Sequence, residues 1–203
     1  GYPKYSLESG NLVIKYTAND SIIIDNYVTT ENPIDTIKIK YGEGDYDEVS
    51  ISEDVTFDEE LNDINYSIDK EAKRYGNLKV IFTVAENTTK KDFTIQHIGN
   101  NDEIILPTGS ATTNYTQTAA GLAIVSGEGA LTVNLNGTNI SGLAKIPTVK
   151  IGETTDDLSE KTLTVSGLTT FDSSTLGFKG ANITATGGAD TYTLGKGENT
   201  LID

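Results

Sequence analysis

The sequence contains no cysteine, no tryptophan and a single histidine among its 203 residues. Without cysteine, the chain can form neither disulfides nor thiolate metal sites. A Ser-His-Asp triad or a histidine zinc site would have to use His97, and a metalloprotease helix would need a second histidine. Because the run Phe93–Ile98 is typical of a strand, we interpret His97 as a surface strand residue. These absences predict that the chain is not an enzyme.

Carboxylates remain as candidate functional groups, since acidic residues are frequent between Asp45 and Asp63. Glycosidases place two carboxyl groups across a sugar cleft, and aromatic side chains usually line such a cleft. The 10 tyrosines of this chain are dispersed, so a solvated acidic loop is the better interpretation. A secondary interpretation is a calcium site at Asp45 and Asp47 with Glu48, although their spacing is not that of an EF-hand.

Basic residues are also scarce, with 15 lysines and arginines against 30 acidic residues and a net charge of −15. A polyanion repels nucleic acid and anionic lipid. No apolar run approaches the roughly 18 residues of a membrane span. We therefore expect neither nucleic acid partners nor membrane insertion. The excess of acidic residues favours binding of divalent cations.

Helical periodicity is nearly absent from the sequence, whereas patterns typical of strands occur throughout. The one segment that favours a short helix is 69–75, which ends at Gly76. Elsewhere apolar and polar residues alternate in short bursts, as expected for half-buried strands; examples are 12–17, 37–40, 130–135, 162–165 and 191–194. This pattern predicts an all-β fold.

A change of composition near Pro107 predicts two domains, with the boundary at Leu106–Ser110, because proline and glycine so close together punctuate structure. We expect residues 1–106 to form an acidic β domain that is either sandwich-like or a meander. It contains two related strand-hairpin units, 10–14 with 21–24 and 76–81 with 92–95. We expect residues 107–203, which are rich in Thr, Gly and Asn, to form a second β domain.

The last segment carries a nine-residue repeat. Gly188–Tyr192 matches Gly197–Leu201 in its glycine, its Asp or Asn, and its apolar residue, and Ile183 extends the apolar position one period backwards. A parallel β-roll repeats in this way, with a glycine turn followed by a short strand. Aspartate adds a hard oxygen that suits calcium. The alternative is a Gly-Asp turn between two ordinary strands.

The segment Gly187–Gly197 resembles the nonapeptide calcium repeats of RTX proteins, which type I systems export from Gram-negative bacteria. The resemblance implies a metal site formed by the Gly187 and Gly188 carbonyls with Asp190 and Asn199. Two positions depart from the pattern, since Ala185 stands where the repeat has glycine and Asn199 replaces the second aspartate. A complete site needs about three consecutive turns, so we expect calcium binding by residues 187–203 to be weak or absent.

Near the N-terminus, the strand Leu12–Ile14 is followed by the run Asp20–Tyr27 and then by three isoleucines, Ile34, Ile37 and Ile39. This segment, about residues 5–45, is similar to the haemolysin-type calcium-binding-related domain. The closing turn at Lys40–Asp45 departs from the family. Such domains sit beside RTX arrays in exported proteins.

Together these features predict a non-catalytic module of a secreted, surface-layer or adhesin-type bacterial RTX protein, located outside the cell or on its surface. Its role would be structural or in assembly, with calcium-assisted folding. Its partners would be neighbouring domains or copies of the parent protein, with glycans as a further class. The alternatives are an auxiliary domain of an exported hydrolase or toxin, and a carbohydrate-binding β-sandwich.

Overall fold

The computed structural model of the protein describes residues 3–27, 34–41, 43–51, 55–73, 75–110, 112–127 and 130–202. Strands make up 49% of the chain and helical residues 3%, which confirms the predicted all-β fold. Residues 70–73, where we expected a helix, form a turn closed by a 3.0 Å bond from the Tyr75 amide to the Lys70 carbonyl oxygen. A 3-10 helix spans Leu158–Glu160 instead.

The chain folds into two compact units, residues 1–59 with 70–81 and residues 60–69 with 82–203. The predicted boundary at Leu106–Ser110 lies inside the second unit. Strands on either side of that boundary, 92–96 and 131–136, pair in parallel. Residues before and after Pro107 therefore share one sheet.

The first unit contains two small antiparallel sheets. The strands are β1 Lys4–Glu8, β2 Asn11–Lys15, β3 Ser21–Ile24, β4 Thr36–Tyr41 and β5 Asp45–Ser50. β2 lies between β1 and β3, whereas β4 and β5 form a separate hairpin. Leu12, Val13 and Ile14 of β2 are buried, so this strand is covered on both faces. Ile37 and Ile39 of β4 are half-buried between exposed lysines, as their alternation predicts.

A five-stranded sheet has the order β15-β14-β10-β8-β6. Its strands are β6 Thr56–Leu61, β8 Lys79–Val84, β10 Glu103–Leu106, β14 Thr148–Ile151 and β15 Thr154–Thr155. The chain passes from one unit to the other within β6 and within β8.

The largest sheet has eight strands in the order β20-β18-β16-β11-β12-β13-β9-β7. Its strands are β7 Ser67–Asp69, β9 Asp92–Gln96, β11 Thr113–Thr118, β12 Gly121–Ser126, β13 Leu131–Asn136, β16 Thr162–Ser166, β18 Gly180–Thr184 and β20 Thr200–Ile202. A further pair, β17 Thr170–Asp172 and β19 Thr191–Thr193, completes the fold. Neighbours in the eight-stranded sheet are parallel except where β12 pairs with β11 and β13.

From β9 onward the chain winds back and forth between sheets. The eight-stranded sheet contains β9, β11, β12, β13, β16, β18 and β20. Between them, β10, β14 and β15 join the five-stranded sheet, and β17 and β19 pair with each other. The inward positions of β9, β13 and β18 are apolar and essentially buried, as Ile95, Leu135 and Ile183 illustrate. β2 and β3 pair as the predicted hairpin, whereas β8 and β9, the second proposed hairpin, lie in different sheets.

Candidate functional site

The C-terminal coils, residues 162–202, contain the predicted repeat. Leu163 of β16 is the register partner of Ala181 in β18, and Ile183 of β18 is the partner of Leu201 in β20. Each partner is eighteen positions further along the chain. On the other side of the coil, Phe171 of β17 pairs in parallel with Tyr192 of β19. One coil therefore consists of two short strands and two turns.

The nine-residue repeat corresponds to half of this coil. Ile183, Tyr192 and Leu201 lie on β18, β19 and β20 in turn, so successive repeats occupy opposite sides. Their neighbours in space are the strands one whole coil away. The pairing is parallel throughout, which is the arrangement of a roll and not that of a hairpin.

Two glycines allow the turns of neighbouring coils to touch. A Cβ atom at Gly180 would lie 1.8 Å from the Glu198 carbonyl oxygen, and one at Gly197 would lie 1.9 Å from the Lys179 carbonyl oxygen. Both distances are far below any real contact, so only glycine fits. Gly187 and Gly188 differ, because they have open space around them and are required by positive φ angles of 81° and 110°.

Asp190 closes the turn that contains Gly187 and Gly188. Its carboxylate accepts hydrogen bonds from the Thr186 amide at 2.9 Å and from the Thr186 hydroxyl at 3.0 Å. The Tyr192 hydroxyl lies 3.2 Å from the same carboxylate and 2.7 Å from the Leu168 carbonyl oxygen. The bond from the Thr186 amide contributes most to lowering the pKa of Asp190 below its ordinary value, and the bonds from the two hydroxyls add to this effect. The residue is charged and locally satisfied at neutral pH.

Asn199 links one coil to the next. Its Oδ1 atom accepts from the Ala181 amide at 3.0 Å, and its Nδ2 atom donates to the carbonyl oxygens of Gly195 at 3.0 Å and Gly197 at 3.3 Å. A carboxamide can satisfy both kinds of backbone group at once, which a carboxylate cannot. This explains in physical terms the asparagine at the position where the repeat has aspartate.

The four C-terminal residues predicted to bind metal lie in two turns. Gly187, Gly188 and Asp190 share the turn between β18 and β19, whereas Asn199 is the last residue of the turn between β19 and β20. These turns lie on opposite edges of the coil, because the chain crosses to the second strand and returns. Within the described ranges, no group of three or more histidine or acidic side chains is placed to hold a metal ion.

Asp45 and Asp47 lie on β5, where Asp45 is the register partner of Tyr41 and Asp47 the partner of Ile39. Asp47 is exposed, and the Asp45 side chain lies outside the described part of the chain. The neighbouring Glu48 forms an exposed ion pair with Lys38 at 3.2 Å. A calcium site at these positions stays a prediction.

The single histidine follows β9 directly and is 53% exposed, as expected for a surface residue. Its φ angle of +58° is unusual for a non-glycine residue. The turn brings its Nδ1 atom to 2.9 Å from the Asp69 carboxylate. Sequence patterns do not indicate this pair, because residues 69 and 97 meet only through the parallel pairing of β7 and β9.

A second carboxylate that the sequence does not single out is Asp63. It accepts from the Thr88 hydroxyl at 2.6 Å, the Thr89 amide at 2.8 Å, the Thr89 hydroxyl at 3.0 Å and the Lys90 amide at 2.8 Å. The bond from the Thr88 hydroxyl contributes most to lowering the pKa of Asp63 to about 2. Asp63 therefore organises the loop before β9.

Comparison of this chain with protein-family models, with curated proteins and with solved structures gave no match in any of the three. In the part of the chain that the structure describes, no helix has the length and apolar character needed to cross a membrane.

Proposed function

We propose that the chain is a non-catalytic structural module of a secreted, surface-layer or adhesin-type bacterial protein of the RTX class. The observation that supports this most directly is the coil of β16 to β20, which has two short parallel strands and two glycine turns. Register partners are eighteen residues apart along β16, β18 and β20 and twenty-one apart between β17 and β19. The composition of the module, acidic and free of cysteine, suits folding in an oxidising, calcium-rich medium outside the cell.

The role in this proposal is assembly. β20 is the edge strand of the eight-stranded sheet, and Leu201 and Ile202 on it are 58% and 54% exposed. An exposed strand edge with apolar side chains is a template for another strand. The occupant that fits is a further coil of the same period, from a neighbouring repeat or from a second copy of the protein.

Calcium enters this proposal through the turn that holds Asp190. In a roll, a cation lies between turns on the same edge of successive coils, so the glycine carbonyls and Asp190 would form half of a site. The other half would come from the turn one coil further on. The module would then gain stability when calcium and a following coil are present together.

The test is to append one designed eighteen-residue coil with two Gly-Gly-x-Gly-x-Asp turns after β20, and to measure unfolding by denaturant with and without calcium. Calcium should raise the unfolding midpoint of the extended protein and leave the original chain unchanged. The matched control is the same extension with alanine at its turn aspartates, which should not respond to calcium. An extension that stays unfolded, or that responds equally with alanine turns, would contradict the proposal.

A further inference from the structure

Gln96, Asn100, Asn136 and Asn139 line one surface pocket of about 410 Å³ in the second unit. His97 and Thr138 line the same pocket, and Ile98 and Leu143 add apolar surface. We propose that this amide pocket is a binding site for a neutral saccharide. The residues that line this site belong neither to the C-terminal coils nor to the predicted calcium site.

The position of the pocket follows from the sheet register. Asp69, Gln96 and Asn136 are lateral partners on β7, β9 and β13, so their side chains form one row about 4.8 Å apart from strand to strand. This row lies on the outer face, because the residues next to it in sequence, Ile68, Ile95 and Leu135, are buried. The pocket opens where these strands end.

His97 extends the row. A regular strand would turn its side chain to the buried face, since successive residues alternate. Its left-handed backbone, with φ of +58°, instead brings the imidazole to the Asp69 carboxylate on the outer face. Non-glycine residues held in this conformation concentrate at ligand sites. The Asp69 contact orients the ring within the lining of the pocket.

The part of the wall formed by Gly137, Thr138 and Asn139 is held by a buried carboxamide. Gln117 is 1% exposed and occupies a core position between apolar partners, Leu122 on β12 and Val165 on β16. Its Nε2 atom donates to the Thr138 carbonyl oxygen at 3.1 Å, and its Oε1 atom accepts from the Ile140 amide at 3.1 Å. These bonds fix the backbone of 138–140, so the wall does not have to be ordered when a ligand binds.

The chemistry of the lining selects the ligand class. The residues described in its lining supply carboxamides, a hydroxyl and an imidazole, and there is neither a lysine nor a carboxylate among them. Carboxamides donate and accept hydrogen bonds equally, which matches a ligand whose groups also do both. Sugar hydroxyls meet this requirement, and Ile98 and Leu143 can contact the C–H face of a sugar ring. The volume lies within the range of about 300–1,000 Å³ for small-molecule sites.

The experiment is a screen of the 203-residue chain against an array of neutral hexose, deoxyhexose and N-acetylhexosamine oligosaccharides, with acidic glycans included. Saturation-transfer NMR with the same neutral sugars at millimolar concentration detects weaker binding. We expect binding to one or more neutral glycans. Binding to none of them, or to acidic glycans only, would overturn the inference.

Variants then locate the site. Asn100→Ala and Asn136→Ala replace exposed pocket residues, and each should weaken binding about tenfold, as expected when a good hydrogen-bonding group is lost. Asn182→Ala on β18 replaces an exposed asparagine of the same sheet outside the pocket and should leave binding unchanged. Circular dichroism checks that all three remain folded. Equal affinity of the pocket variants and the wild-type protein would show that the sugar binds elsewhere.

Discussion

Gly180 and Glu198 meet backbone to backbone, so that a Cβ atom at position 180 would lie 1.8 Å from the Glu198 carbonyl oxygen. The two residues are eighteen positions apart; Gly180 is the first residue of β18, and Glu198 lies in the turn before β20. The contact shows that stacking of the C-terminal coils depends on the absence of a side chain at one position.

Replacement of Gly180 by alanine should therefore disrupt the stack. The backbone on both sides would have to move, and we expect a loss of about 3 kcal/mol in the free energy of unfolding, at the upper end of the cost of overpacking. The measurement is denaturant unfolding of the full chain followed by circular dichroism.

The matched control for that variant is Gly187→Ala, since Gly187 has open space around it and a φ of +81°. Only backbone strain should appear there, about 1 kcal/mol. Equal losses at the two glycines would show that turn conformation, and not contact between coils, determines their identity.

Substitution of Asn199 by alanine should break the link between coils. The Ala181 amide and the Gly195 carbonyl would lose their partner, and we expect a cost of about 1–3 kcal/mol. Hydrogen exchange at Ala181 should accelerate in the same variant. The comparison is Asn182→Ala, an exposed site on β18, where the change should stay within about 0.5 kcal/mol. A neutral result at Asn199 would count against a structural role for its carboxamide.

Asp63 should give the second unit a specific dependence on acid pH. Its pKa is lowered from 3.8 to about 2 by the hydrogen bonds from the 88–90 loop. Because the folded value is the lower one, its contribution to stability is present above the unfolded pKa and is lost as pH falls from about 4 towards 2. NMR titration of the Asp63 carboxyl carbon should give a midpoint near 2.

The variant Asp63→Asn isolates this effect from the other carboxylates. The difference in unfolding free energy between wild type and Asp63→Asn should be constant above the unfolded pKa of Asp63 and shrink as the pH falls below it. A difference that does not change with pH would mean that ionisation of Asp63 does not hold the loop.

Calcium should bind weakly or not at all to residues 187–203 of this chain. Asp190 lies in the turn between β18 and β19, and its carboxylate already accepts hydrogen bonds from Thr186. A full calcium site needs about three consecutive turns. Calorimetric titration of the chain with calcium should detect no micromolar site. In a protein with additional coils, Asp190→Ala should reduce calcium-dependent folding. A tight site in this chain that Asp190→Ala abolishes would contradict the prediction.

Several features of the fold could be read from local sequence. Alternation of apolar and polar residues depends on the two-residue period of a strand, and it located β4, β16 and β19 correctly. The nine-residue spacing of Ile183, Tyr192 and Leu201 likewise placed three successive strands. These signals are contained in short segments and do not require knowledge of their partners.

The choice of partner was decided by the tertiary structure. Gly10–Ile14 and Gly76–Ile81 look alike in sequence, yet β2 pairs with β3 in a hairpin while β8 and β9 join different sheets. Pairing depends on which sheet edges become available once distant strands have packed. The sequence of a single strand does not contain that information. For the same reason the composition change at Pro107 does not separate β9 from β13.

The sequence by itself determined an all-β chain with a glycine-punctuated repeat at its end, because strand period and turn preference are local properties. Only the tertiary structure decided that Asn199 bonds the coil before it and that Gln117, buried among apolar neighbours, holds the wall of the amide pocket. Those roles arise from residues distant in the chain, since a polar group taken from water must find its partner wherever the fold provides one.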